Sequence, residues 1–203
     1  MKRILPILLT ASALLLVIFY SFKNPPTSNA VPQDDYFSYL PTTSKNRSQV
    51  SIRLASQNIE QGIIQHVGGD VDTEVVAVGS PPVEARRSGN GEVLPSPDGN
   101  LVADFYMKFD VDDNFIFNGN PTSRIRIEVE YFDQGTDKFG IQYDAPDANF
   151  RSTALATKSD TGEFRVAIFN LCAAQFMNET QNGDFRLTDN NDGADIISRI
   201  TVT

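Results

Sequence analysis

The chain has 203 residues, a formal net charge of −9, 26 acidic against 17 basic side chains, one cysteine, one histidine and no tryptophan. So acidic a surface repels phosphate backbones, which argues against nucleic acid as a partner, and a single cysteine excludes an internal disulfide, a Cys-rich zinc site and a CxxC redox pair. With its ends set aside, the length leaves room for one domain of about 150 to 170 residues, enough to bury a core.

Lys2 and Arg3 precede an uncharged apolar run over residues 4–22, the pattern of an export signal. The length of the run fits either a cleaved leader or a membrane anchor, and Ser28-Asn29-Ala30 offers the small residues a signal peptidase needs. Residues 1–30 are therefore read as signal peptide or anchor, with membrane contact only through residues 4–22. Everything after Lys23 is expected on the extracytoplasmic side, secreted or anchored to the cytoplasmic membrane. No cysteine follows the run, so lipidation there is not expected. Residues 31–49 are rich in Pro, Ser, Thr, Asn and Asp, a composition that reads as a flexible linker.

From residue 50 to the end the pattern has period two, as half-buried strands require. Short strands are expected over residues 63–67 and 73–78, divided by Gly68-Gly69. In residues 105–111, Phe105, Met107, Phe109 and Val111 alternate with Tyr106, Lys108 and Asp110. The clearest case spans residues 124–132, where Ile125, Ile127, Val129 and Tyr131 point inward and Arg124, Arg126, Glu128 and Glu130 face water. Phe139, Ile141 and Tyr143 repeat the pattern, followed by Phe164, Val166 and Ile168, then Phe185 and Leu187, then Ile196, Ile200 and Val202. Turn chemistry separates these runs at Asn118-Gly119-Asn120-Pro121, Asp133-Gln134-Gly135-Thr136, Asp160-Thr161-Gly162, Asn182-Gly183-Asp184 and Asn191-Asp192-Gly193. Residues 170–176 are expected to make at most one helical turn, and Cys172, in an apolar stretch, is expected to be buried and inert. Nine or ten short strands without a sequence repeat predict an all-β domain over residues 50–203, a β-sandwich of jelly-roll form.

The run Phe109-Asp110-Val111-Asp112-Asp113-Asn114-Phe115, then Asn120-Pro121, then Val129-Glu130-Tyr131-Phe132-Asp133-Gln134-Gly135-Thr136 leading to Phe139-Gly140-Ile141-Gln142-Tyr143-Asp144, resembles a jelly-roll module of bacterial exported and cell-surface proteins. Gly162-Glu163-Phe164-Arg165 and Asn182-Gly183-Asp184-Phe185-Arg186-Leu187 continue the likeness, as does the final strand ending Ile200-Thr201-Val202. The module belongs with the galactose-binding-like sandwiches, which include many non-catalytic carbohydrate-binding modules. Phe164 stands where a tryptophan is expected in such modules. The resemblance implies the sandwich fold and a non-catalytic binding role, and it assigns no ligand residues.

Sugar binding needs an exposed aromatic platform beside hydrogen-bonding groups. Tyr106 and Phe132 are out of phase with the inward residues, and with Asp133, Asp137 and Gln142 they form the candidate ligand-binding set. Asp110, Asp112 and Asp113, and separately Asp189, Asp192 and Asp195, offer the hard oxygens that Ca²⁺ prefers. Neither cluster has EF-hand spacing, and Asp also builds turns, so a structural Ca²⁺ and simple turn formation both remain open. His66 lies in an apolar strand and reads as an ordinary strand histidine, while Glu128 and Glu130 read as an ion-pair ladder with Arg124 and Arg126. No catalytic residue is expected. The function expected is a non-catalytic extracytoplasmic module binding carbohydrate or another cell-envelope component; the alternative is a surface-tethered structural or protein-interaction domain without sugar binding.

Overall fold

Alternation of apolar and polar side chains carries this fold, because strands buried on one face must present every second residue to the core. A computed structural model describes residues 47–97, 99, 101–119 and 124–203. The chain divides into two units, Met1–Thr42 and Thr43–Thr203, and all the described residues belong to the second. The expected leader, most of the expected linker and the Asn120-Pro121 part of one expected turn lie outside the described residues.

Thirteen strands are present among the described residues. They are β1 (Val50–Arg53), β2 (Ile59–Gln61), β3 (Ile63–His66), β4 (Glu74–Val78), β5 (Val83–Arg87), β6 (Tyr106–Val111), β7 (Arg124–Phe132), β8 (Lys138–Ala145), β9 (Ala148–Ser152), β10 (Ala156–Thr157), β11 (Phe164–Cys172), β12 (Phe185–Thr188) and β13 (Ile196–Val202). One sheet runs β11-β7-β13-β1-β2, with β5 also on β13 and β4 beyond it. The other runs β10-β8-β12-β6-β3, with β9 alongside β10 on the outer edge of β8. The inner quartets β1-β13-β7-β11 and β6-β12-β8-β9 alternate between sheets in the way two interlocked Greek keys require, so the domain is a jelly-roll β-sandwich.

The core lies between the sheets. Ile125, Ile127, Val129 and Tyr131 from β7 join Val50 and Ile52 from β1, Ile200 and Val202 from β13, and Phe169 and Leu171 from β11. From the opposite sheet come Met107, Phe109, Phe139, Ile141, Tyr143, Phe185 and Leu187. Phe185 stacks between Phe109 and Phe176, with ring centroids 5.3 and 6.0 Å away. A one-residue slip of β7 would place Arg126 and Glu128 in this apolar layer, so the hydrophobic pattern itself fixes the register.

Three expectations change. The apolar residues of the last strand do not keep one period, because a bulge between Ile197 and Arg199 shifts the register on β7; Ser198 leaves the ladder and donates to the Glu130 carbonyl and carboxylate. Ile197, Ile200 and Val202 therefore form the inward set, while Ile196 pairs with Arg87 of β5. The expected turn of helix at residues 170–176 is instead the end of β11 followed by irregular chain, with Ala173 and Phe176 in the left-handed region. Cys172 is a correction as well: it occupies the outward phase of β11 and is exposed, where the apolar sequence around it implied burial.

Candidate functional site

The register of the second sheet places five polar side chains in one row across five strands. His66 on β3 pairs with Lys108 on β6, Lys108 with Arg186 on β12, Arg186 with Gln142 on β8, and Gln142 with Ser152 on β9. His66, Lys108, Arg186 and Gln142 lie in the phase opposite to the core residues of their strands, and Ser152 joins them through its pairing with Gln142. At about 4.8 Å per strand the row spans roughly 19 Å of the sheet's outer face.

Arg186 is its centre. The guanidinium carbon sits 3.7 Å from the centroid of the Tyr106 ring and 4.2 Å from that of Phe150. The two rings come from strands on opposite sides of β12, and they leave Arg186 only 8% exposed. Within this slot Nε donates to Gln142 Oε1 at 2.8 Å and Nη1 to Gln181 Oε1 at 3.2 Å. Lys108 Nζ donates to the Gln181 carbonyl at 2.7 Å, so one loop residue orients both cations.

That loop is held from below by two buried carboxylates. Residues 173–184 include five non-glycine positions in the left-handed region, Ala173, Phe176, Asn178, Gln181 and Asn182, a conformation that persists only when surrounding contacts enforce it. Asp144 accepts from the N–H groups of Phe176 at 2.6 Å and Met177 at 2.5 Å. Asp184 accepts from Val111 N–H at 2.8 Å and Asn178 N–H at 3.1 Å. Burial pushes the Asp184 carboxyl up to about 7, against those hydrogen bonds and with the charges of Asp110 and Asp144 adding to the effect.

His66 Nε2 stands 4.0 Å from Asp110 Oδ2. Burial, joined by the charge of Lys108, lowers the His66 pKa, with Asp110 opposing; the imidazole is therefore neutral at pH 7. Beyond it the face opens into an acidic cleft of about 520 Å³ lined by Glu60, Ile64, Asp110, Asp112, Asp113 and Asn178.

The structure divides the five expected ligand-binding residues among four places. Tyr106 and Gln142 share the outer face of the second sheet, both against Arg186. Phe132 lies on the outer face of the other sheet, edge-on to Phe164 at 5.3 Å. Asp133 is buried and accepts from Ser159 N–H, Thr161 N–H and the Thr161 hydroxyl, at 2.7, 3.2 and 2.6 Å. Burial alone would raise its pKa, but these hydrogen bonds outweigh it and hold the carboxyl below its ordinary value. Asp137 faces Lys158 Nζ at 2.6 Å, in space that exists because residue 193 is glycine; a Cβ there would overlap the Asp137 carboxyl.

The members of each acidic cluster also face different partners. Asp112 accepts from the backbone and side chain of Asn114, both at 2.9 Å, Asp113 is exposed beside it, and Asp110 turns toward His66. Asp189 accepts from Asn191 N–H at 3.0 Å, and Asp192 from Lys138 N–H at 3.1 Å. Asp195 pairs with Lys158 Nζ at 3.1 Å, so the lysine ammonium fills the space between Asp137 and Asp195. Burial pushes Asp195 up to about 8 despite Lys158. Among the described residues no three His, Cys, Asp or Glu side chains stand together as a metal-holding group.

Arg186, Lys108, Phe150 and Gln181 were not in the expected set. Arg186 alternates with Phe185 and Leu187, so its outward phase was readable; that β12 lies in the middle of the sheet was not. Phe150 was missed because no strand was expected between residues 143 and 160, whereas β9 folds back on β8 there.

No protein-family model matches the sequence, and no curated protein is similar to it. Among solved structures the chain is similar to BiXyn10A CBM1 in its apo form, with a TM-score of 0.40 and 9% identity over 75% of this chain and 95% of that one. It is also similar to two single-residue mutants of CBM29-2, a family 29 carbohydrate binding module. The TM-scores are 0.35 and 0.32, the identities 11% and 10%, and the coverage 77% and 76% of this chain and 91% of each of those.

Proposed function

We propose that this chain is a non-catalytic carbohydrate-binding module working outside the cytoplasm, and that the outer face of the β10-β8-β12-β6-β3 sheet is its binding surface. The observation that carries this reading is the row His66-Lys108-Arg186-Gln142-Ser152 with the Tyr106 and Phe150 rings beside it. A sugar ring presents an apolar C–H face and a rim of hydroxyls, and it is recognised by aromatic carbon next to fixed donors and acceptors. Here amide, hydroxyl and guanidinium groups are fixed by sheet register, and the rings are braced against a cation. The face is open and shallow, which suits a polymer passing across it.

Affinity electrophoresis of the full chain through gels containing a range of polysaccharides tests the reading. Retardation by at least one polymer, relieved by Tyr106→Ala or Phe150→Ala, is expected. Unchanged migration in every gel would overturn it.

A second reading, a protein-interaction domain, is favoured by one feature. The edge strand β11 exposes Val166 at 54% and Ile168 at 51%, and long apolar edges are the usual templates for pairing with another chain. Concentration-dependent self-association or capture of a partner, lost in Val166→Lys, would support it.

A further inference from the structure

We infer that the ligand of this face carries a carboxylate, a uronate-bearing glycan, and that Arg186 and Lys108 read it. The inference rests on the glycan-binding reading and narrows its substrate class. In a chain with net charge −9, two cations stand side by side at one register position. Among the described residues neither has a carboxylate within ion-pair distance.

Their protein partners are neutral. Arg186 meets the side-chain amides of Gln142 and Gln181, and Lys108 meets a backbone carbonyl. Burial lowers the pKa of both; Asp70 opposes the shift in each, and the Arg186 charge lowers Lys108 further. Among the described residues no carboxylate is in contact with these paired cations, and a bound anion would supply that counter-charge.

The geometry selects which anion. The Tyr106 and Phe150 rings flank the guanidinium carbon at 3.7 and 4.2 Å, which leaves the Nη2 side as the part open to a ligand. Nε and one Nη1 hydrogen are taken, and among the described residues Nη2 has no hydrogen-bond partner. Nη2 is nonetheless not among the buried polar atoms without partners, so solvent reaches it. An in-plane pair of Nη hydrogens matches the two oxygens of a carboxylate, and guanidinium binds carboxylates in that bidentate way. Lys108 adds a point charge one strand away. The sugar ring bearing the carboxylate then lies toward Tyr106 or Phe150.

The test uses the full chain with polygalacturonate, the same polymer fully methyl-esterified, a neutral glucan and a sulfated galactan, titrated at low and at high salt. Expected is at least tenfold tighter binding to polygalacturonate than to its ester, with the difference shrinking as salt rises. Arg186→Gln and Lys108→Gln should each reduce that preference. Lys108 is only partly buried, so its variant remains informative if Arg186→Gln fails to fold. Equal binding of the acid and ester forms, or tighter binding of the sulfated polymer, would overturn the carboxylate inference and leave the glycan reading standing. Binding to none of the four would overturn the inference and, with a negative wider panel, the glycan reading too.

Discussion

The two outer faces of the sandwich are built from the same alternation and reach opposite electrostatic outcomes. On the β11-β7-β13 side, charges neutralise one another: Arg126 Nη2 meets Glu128 Oε1 at 2.6 Å, and Arg199 faces Glu130 at 4.0 Å. Aliphatic Val166 and Ile168 lie beside Glu130 and Glu128 on the edge strand. On the β8-β12-β6 side, Arg186 and Lys108 are braced by rings, amides and a carbonyl, with no acid in contact among the described residues. A surface ladder of matched ions has little left to offer a ligand, because its donors and acceptors already serve each other. A row held in place by neutral groups keeps its charge available, and this difference is the ground for proposing that face as the binding surface.

Two buried carboxylates, one beneath that face and one beside Lys158, are the first place to break the contrast. Deprotonated Asp184 and Asp195 are costly in the fold, with pKa values pushed to about 7 and about 8. Each carboxyl holds its proton more tightly when folded than when unfolded, so its contribution to stability is greatest below the ordinary carboxylate range and falls as pH rises toward 8. Urea unfolding should show a loss on the order of 3 kcal/mol between pH 6 and pH 8, and Asp184→Asn should flatten part of that slope. A pH-independent midpoint across this window would contradict the assignment.

Asp144→Ala should cost about 2 to 3 kcal/mol, since the N–H groups of Phe176 and Met177 lose their acceptor in or near the core. Because the same loop carries Gln181, ligand affinity should fall with it, and hydrogen exchange over residues 173–184 reads both effects. Replacing the two rings together, Tyr106→Ala with Phe150→Ala, should weaken glycan binding about 30-fold, from about 1 kcal/mol per ring. The smallest effect is expected on the opposite face, where Glu128→Gln should change stability by under about 0.5 kcal/mol. Calorimetric titration of that variant should return the parent affinity.

The sandwich was legible because its central strands keep strict period two. The bounds of Arg124–Phe132 follow from the sequence alone, and the core residues of β6, β8 and β12 follow from the same rhythm. Strands without that rhythm escaped. β2 is exposed at all three residues, β5 carries Glu84, Arg86 and Arg87, and β9 buries none of its side chains fully. The site was half legible for a related reason. Phase along one strand shows that Tyr106 and Gln142 point outward, but only register between strands shows that both meet Arg186. Asp133 and Asp137 looked available because they are acidic turn residues; the fold occupies one with the residue 159–161 backbone and the other with Lys158.

Chemical-shift mapping on ¹⁵N-labelled protein, titrated with a bound oligosaccharide, addresses the choice of face most directly. Perturbations should cluster at Tyr106, Lys108, Gln142, Phe150, Gln181 and the Arg186 side-chain Nε, leaving β7, β11 and β13 unmoved. Shifts centred instead on Glu128, Val166, Ile168 and Arg199 would place the ligand on the other sheet and contradict the choice of face.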